Sequence, residues 1–268
     1  MAEAVIASVD GRITPPAEAS ISILDEGLVR GDGAFEVMKL YGGHPFRLRA
    51  HLDRLGRSAA AIELPYDAAA LEREIAALLE ANPPADGALR VVITRGGRRI
   101  LTGETLSPFA ASISVALVEL TPSEILGGVK SISYAANMQA TRIATSRGAD
   151  EAVYVRPDGI VLEAPTSSVF WVTPEGALRT PALDVGILDS ITRDVLVDAL
   201  EVEEGDFDRA GLIGADAAFL ASTNREVQAI SSVDGTELPT LGGERAEEAR
   251  AALAAAVAAE RAESGAAA

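Results

Sequence analysis

The stretch 127-GGVKSISYAANM-138 joins two differently patterned halves of the chain and carries Lys130. Pro122 and the Gly127-Gly128 pair bracket a polar segment ahead of that lysine, which puts a domain boundary near residues 118–128. Upstream, short or alternating apolar runs at 5–9, 20–24, 34–41, 88–94 and 112–118 read as strands, and Gly42-Gly43 supplies a hairpin turn. Apolar residues at helical spacing over 49–62 and 68–81 read as helices, the second stopped by Pro83-Pro84. Downstream, 135–146, 192–200 and 245–262 read as helices and 152–155, 160–163, 169–172, 217–221 and 227–230 as strands, with a turn at Pro157-Asp158-Gly159. The expected organisation is α+β, with a smaller N-terminal domain over 1–120 and a C-terminal domain over 121–268; the last five residues, SGAAA, are expected to fray.

Composition narrows the chemistry. Of 23 basic residues only Lys39 and Lys130 are lysine; the other positions use arginine. An arginine keeps its proton at any usable pH, whereas a desolvated lysine can lose it and attack a carbonyl. The chain has no cysteine, so it has no disulfide framework and no thiolate nucleophile, and with only His44 and His51 a histidine-built metal centre is not expected. A formal charge of −17 repels phosphate backbones and acidic membrane surfaces, so nucleic acid and membrane are not expected partners. No apolar run approaches a bilayer-spanning length and the N-terminus lacks a leader pattern, which leads to the expectation of a cytoplasmic protein.

Three segments supply groups that suit a phosphate and a nitrogen heterocycle. In GILDSITRDVL, Asp189 or Ser190 caps a helix whose first amides, at Ile191 and Thr192, are suited to a phosphate. In FLASTNREV, Ser222, Thr223 and Asn224 follow an apolar strand and place hydroxyls and an amide at its end. Arg54, four residues before Ser58 on one helical face, offers a charge-assisted bond to the same phosphate. Glu163 ends the segment VLE, and a carboxylate beside a pyridine nitrogen keeps that nitrogen protonated. Ordinary helix caps, turn residues and solvated side chains account for each segment taken alone.

Taken in order, LDEGLVRGDGAFEVMKLYGGHPFRLRAHLDRL, GVKSISY, GADEAVYVRPDGIVLEAPTSSVF, TPALDVGILDSITRDVL and ASTNREVQAISSVDG resemble the fold-type IV pyridoxal-phosphate (PLP) enzymes. This is the class IV aminotransferase family of D-amino-acid and branched-chain aminotransferases and aminodeoxychorismate lyases. The resemblance covers about residues 21–234. It implies a two-domain fold, with a smaller N-terminal α/β domain and a larger C-terminal pseudo-barrel domain, and PLP as cofactor. It implies that Lys130 bonds the cofactor and shuttles the substrate α-proton. Glu163 then pairs with the pyridine nitrogen, Arg54, Ile191, Thr192 and Thr223 hold the phosphate with Ser222 beside them, and Tyr134 lies near the ring hydroxyl. Lys39 resembles a lysine of D-amino-acid aminotransferases and is read as structural. A homodimer is implied by analogy. The sequence departs from the family pattern at Ala164 and Ser190, where glycine is usual, and at Ser168, where asparagine is usual.

The substrate side is read from GDGAFEVMKLYGG, which is similar to D-amino-acid aminotransferases, with Phe35 at their pocket tyrosine. Lyases of the family tend to carry threonine where Val37 stands, and valine removes a hydroxyl that assists proton transfer, which favours transamination. No histidine follows the arginines of TRGGRRILTGE, so Arg90, Arg98 or Arg99 is left to grip the substrate carboxylate, unless the last two lie on a solvated loop. Arg90, Phe35, Val37 and Asn224 are the substrate-side candidates. The expectation is a transaminase acting on an amino acid, D favoured, and a 2-keto acid. Aminodeoxychorismate lyase, a branched-chain L-amino-acid aminotransferase and a catalytically silent relative are the rivals.

Overall fold

The computed structural model describes residues 3–263 and Gly265, so Met1, Ala2 and all but one residue of the SGAAA tail lie outside the described residues. The chain separates into two units. The first comprises residues 1–108, 129–134 and 257–268, and the second 109–128 and 135–256. Lys130 therefore travels with the first unit, although it stands beyond the polar segment in sequence.

The first unit is a six-stranded antiparallel sheet with helices on one face. Its elements are β1 (Glu3–Val9), β2 (Arg12–Thr14), α1 (Glu26–Arg30), β3 (Gly33–Tyr41), β4 (His44–Pro45), α2 (Leu48–Ala61), α3 (Ala68–Glu80), β5 (Gly87–Thr94) and β6 (Arg99–Thr105). The strand order is β2-β1-β6-β5-β3-β4. Period-two alternation on β3 turns Ala34, Met38 and Leu40 inward with Leu89, Val91 and Ile93 of β5 and Leu101 of β6. Leu52, Leu55 and Ala59 of α2 and Leu71, Ile75 and Leu78 of α3 close that core at helical spacing.

Two expectations fail in this unit. Residues 20–24 form no strand: Ser22 Oγ accepts from the Leu24 amide at 3.1 Å and the Ser22 carbonyl from Asp25 N at 3.0 Å. Asp25 then caps α1, and such local side-chain bonds offer the backbone an alternative to a ladder. Conversely, β6 takes in Arg99, for which a solvated loop is the alternative in sequence, and runs on through residues 100–105, for which no element is expected. Gly103 masks its strand pattern, yet a Cβ there would lie 2.7 Å from Ile6 Cγ2 and 2.8 Å from Pro83 Cβ, so close packing excludes a side chain.

The second unit is built on an eight-stranded mixed sheet. Its elements are β7 (Ser112–Glu119), α4 (Ala135–Ser146), β8 (Glu151–Val155), β9 (Ser168–Val172), β10 (Leu178–Pro181), α5 (Ile191–Ala199), β11 (Glu203–Gly205), α6 (Arg209–Ile213), β12 (Ala217–Ser222), β13 (Glu226–Val233) and β14 (Thr236–Glu237). Helix α7 (Gly243–Glu263) begins in this unit and ends in the first. The order is β11-β10-β9-β12-β13-β7-β8, with β14 on β13. β7 runs parallel to both β8 and β13, while β9, β12 and β13 pair antiparallel. Five consecutive buried residues in each of β8 and β9 mark strands covered on both faces.

The expected strand at 160–163 is a broken one. Tyr154 accepts from Leu162 N and donates to Glu163 O, both at 2.8 Å. Two residues thus oppose one, a bulge that ends the regular ladder and re-aims Glu163.

Helix α2 is tied to β3 by charge as well as by packing. Glu36, on the inward face of β3 and fully buried, accepts from Arg54 Nε and Nη2, each at 2.7 Å, and lies 2.7 Å from His51 Nδ1. Burial alone would raise the Glu36 carboxyl, but the Arg54 and His51 bonds overcome it and hold it at about 2, against an ordinary 4.5. Burial also lowers the His51 imidazole below its ordinary 6.5, in spite of the Glu36 carboxylate beside it.

Both groups carry the same sign in acid. Glu36 contributes stability that is complete above pH 4.5 and is lost as pH falls towards about 2. Its full worth is on the order of 3 kcal/mol. His51 adds to the loss below pH 6.5, because the unfolded imidazole takes up a proton that the folded one resists. Glu36→Gln should cost about 3–5 kcal/mol at pH 7 by stranding a buried guanidinium. Urea unfolding at pH 7, 5 and 3 should also show a shallower acid decline in the variant; parallel declines would exclude an ionised Glu36 as the link.

Candidate active site

Each unit carries its own set of chemically apt side chains. In the first, the segment bearing Lys130 is laid along the start of β3. The Lys130 carbonyl accepts from Phe35 N at 3.0 Å, Ile132 N donates to the Gly33 carbonyl at 3.0 Å, and Ala34 bridges Ser131. Gly33 permits this approach, since a Cβ there would meet the Ile93 carbonyl at 2.4 Å and Ile132 Cδ1 at 2.7 Å. From α2, Ser58 Oγ accepts from Lys130 N at 3.1 Å. The lysine backbone is therefore held from a strand and from a helix, although the lysine itself lies in no regular element.

The Phe35 ring gathers three of the residues singled out from sequence. Lys130 Nζ lies 4.5 Å from its centroid, Arg90 Cζ 5.9 Å, and the Tyr134 ring meets it edge-on at 5.2 Å. Val37 follows Phe35 on the same face of β3 and stands opposite Arg90 in register. The other strand-end arginines are engaged elsewhere, Arg98 with Asp10 at 2.6 Å and Arg99 with Glu74 at 2.8 Å. Arg90 is itself paired: its Nε and Nη2 donate to Glu104 at 2.7 and 3.1 Å, and Thr102 Oγ1 donates to the same carboxylate at 2.7 Å. Lys39, the second lysine, lies 5.2 Å from the Tyr41 ring further along β3.

In the second unit, Glu163 Oε1 accepts from Leu188 N at 3.1 Å, which orients the carboxylate ahead of α5. Ser190 is the N-cap and accepts from Arg193 N, leaving Ile191 and Thr192 as first-turn amides that precede the helix's own ladder. Buried Arg193 fixes the helix start by donating to the Pro181 carbonyl at 2.8 Å and to Glu204. Also in the first turn, burial and the neighbouring Asp189 carboxylate push Asp194 up to about 6. Ser222 ends β12, and Thr223, Asn224 and Arg225 form the tight turn into β13.

Whether PLP suits these groups is answered by the polar atoms that the fold leaves over. Ser167 Oγ in the loop after Glu163, Ser168 Oγ at the start of β9 and Asn224 Oδ1 in the turn are buried without a hydrogen-bond partner among the described residues. Buried polar atoms rarely stay unpaired, so these fit a polar ligand. First-turn amides, hydroxyls and a carboxylate form a donor and acceptor set that matches a phosphate and a protonated ring nitrogen. By contrast, no group of three or more potential metal ligands occurs among the described residues, and no described helix is long and apolar enough to cross a membrane.

Sequence reading passed over Glu36, His51, Glu104 and Arg225. Glu36 had a signal, a charge on the inward side of a strand whose alternate residues are Ala34, Met38 and Leu40. Its partners His51 and Arg54 recur three residues apart on the buried face of α2.

The amino-transferase class IV family model matches residues 33–233. The chain is 30% identical over 258 residues to a D-alanine aminotransferase of Listeria innocua, covering 86% of this chain and 88% of the relative. It is 28% identical over 262 residues to an aminodeoxychorismate lyase of Bacillus subtilis, covering 88% and 89%. Among solved structures, a hypothetical aminotransferase from Mycobacterium tuberculosis in its PLP-bound form superposes with a TM-score of 0.85 at 26% identity, covering 96% of this chain and 100% of that one. Matched family and two-unit α+β architecture agree: the chain belongs to the class IV aminotransferases, PLP-dependent enzymes of fold type IV.

Proposed function

We propose that the chain is a transaminase that moves an amino group between a D-amino acid and a 2-keto acid, with Lys130 as its catalytic residue. The observation that carries this reading is the placement of the Lys130 amine against the Phe35 ring, 4.5 Å from its centroid, with Arg90 and Tyr134 around the same ring. An amine at this position, unlike a guanidinium, can give up its proton and attack a carbonyl, which is what a nucleophilic residue needs.

Bound PLP supplies an aldehyde that condenses with amines and a ring that withdraws electrons from the substrate α-carbon. The chain's own groups do the rest. Lys130 Nζ would hold the cofactor covalently and, once the substrate amine has displaced it, the freed amine would carry the proton to and from the substrate α-carbon. Glu163, fixed by the Leu188 amide, would keep the ring nitrogen protonated. The Ile191 and Thr192 amides, Ser222, Thr223 and Arg54 hold the phosphate, Arg54 being kept in place by Glu36. Tyr134 would stand by the ring hydroxyl. On the substrate side, Phe35 and Val37 line the pocket, Arg90 takes the carboxylate and Asn224 contributes a polar contact. Because Glu104 already occupies two Arg90 nitrogens, this grip is weaker than that of an unpaired arginine.

D-amino acids are favoured by the likeness to D-alanine aminotransferases, and Val37, which lacks a hydroxyl, speaks against the lyase. We further propose a homodimer in the cytoplasm. Ile23 and Leu24 are each 79% exposed, and Leu28 and Val29 around 60%, so one short segment presents an apolar surface of the kind that marks protein contacts.

Borohydride treatment of the purified protein should fix a vitamin B6 derivative to the peptide holding Lys130, and Lys130→Ala should lose both this adduct and the visible cofactor band; a label on another peptide would end the lysine assignment. Bleaching of that band by D- but not L-amino acids should report the favoured hand. Release of pyruvate from aminodeoxychorismate without a keto acid would instead make the chain a lyase. Sedimentation should find a dimer, shifted towards monomer by Leu24→Glu together with Leu28→Glu.

A further inference from the structure

Arg225 is the least expected charge in the second unit. It sits in the turn that carries Thr223 and Asn224, and its side chain is only 12% exposed. Its Nη2 donates to Glu151 of β8 at 2.7 Å and its Nη1 to Gln228 of β13 at 2.6 Å, while the guanidinium lies 5.4 Å from the Phe109 ring centroid. Each partner is fixed in turn. The other Glu151 oxygen accepts from Thr141 Oγ1 of α4 at 2.7 Å and from Ala152 N at 3.1 Å, and Gln228 Nε2 donates to the Ala110 carbonyl at 2.7 Å. One planar fork thus ties the turn to β8, α4, β13 and the segment leading into β7.

The turn needs such a tie. Glu226, which closes it, has φ of 59°, a left-handed conformation that a residue with a side chain adopts only when its surroundings impose it. Asn224 Oδ1 is also held in a buried position without a partner among the described residues.

We propose that Arg225 is a positioning residue for the cofactor phosphate, holding the Ser222–Asn224 turn in the conformation that binds it. The inference rests on the reading of Thr223 as a phosphate contact. A clamp on the phosphate turn acts on PLP and not on pyridoxal, which lacks the phosphate; a purely structural role weakens both alike.

The test titrates each cofactor form into protein freed of cofactor, following the visible band, for wild type, Arg225→Ala, Arg225→Lys and Thr223→Val. Arg225→Ala should weaken PLP by at least about tenfold and leave pyridoxal within about twofold. Arg225→Lys keeps the charge opposite Glu151 but not the two-pronged fork, and should fall between. Equal losses for both cofactor forms, or no loss, would overturn the proposal. Should Arg225→Ala fail to fold, Arg225→Lys decides: reduced selectivity for PLP supports the clamp and unchanged selectivity refutes it. Thr223→Val separates the premise from the inference. Wild-type selectivity in that variant removes the phosphate reading of the turn, whereas selectivity lost there but kept in both Arg225 variants removes the clamp alone.

Discussion

A single carboxylate at the heart of the first unit organises what lies around it. Glu36 is fully buried between β3 and α2, and such a charge is tolerable only because Arg54 and His51 meet it at hydrogen-bond distance. The cost of desolvation is offset by three short bonds, and the arrangement admits little slack: shifting α2 along β3 would strand an ion on each side. Its consequence is a fixed helix face. Ser58, one turn beyond Arg54, is thereby placed to take the Lys130 amide, so the backbone of Lys130 inherits its position from the ion pair.

β3 serves both of its faces. The inward residues Ala34, Glu36, Met38 and Leu40 build the core, while Phe35, Val37 and Lys39 point the other way along the same strand. This alternation is why a structural carboxylate and an aromatic ring on the opposite face can be adjacent in sequence without competing for space. The face that carries Phe35 also carries Arg90 from β5 and Glu104 from β6, so charge pairing there is a property of strand register. A slip of one residue would send Arg90 into the core.

The second unit reaches a comparable rigidity by other means. A bulge opposite Tyr154 re-aims Glu163, the Leu188 amide fixes its carboxylate, and buried Arg193 anchors the start of α5. Arg225 does the same for the turn after β12. Arginine is well suited to all of these tasks, since its charge is permanent and its fork spans two acceptors. The chain uses arginine for this anchoring and keeps lysine at two positions only, Lys39 and Lys130.

Local rules carried much of this. Period-two and period-3.6 patterns located most strands and helices, since burial of one face leaves its mark on consecutive residues, and α4 fell at the expected residues. The ordered series of motifs, with the Ser190 cap among them, sufficed to name the family, because each motif is a short-range signal and their order is read directly along the chain. Where partners lie far apart in the chain, the sequence was silent. Glu36 meets groups 15 and 18 residues away, Arg90 meets Glu104 fourteen away, and Arg225 meets Glu151 seventy-four away. The strand expected at 20–24 dissolved into side-chain-capped turns, and β6 was hidden by a glycine that close packing demands. Sequence alone determined most of the elements and the class of chemistry; only the tertiary structure decided which charge answers which, because electrostatic pairing depends on distance in space and on burial, and neither is written in the order of residues.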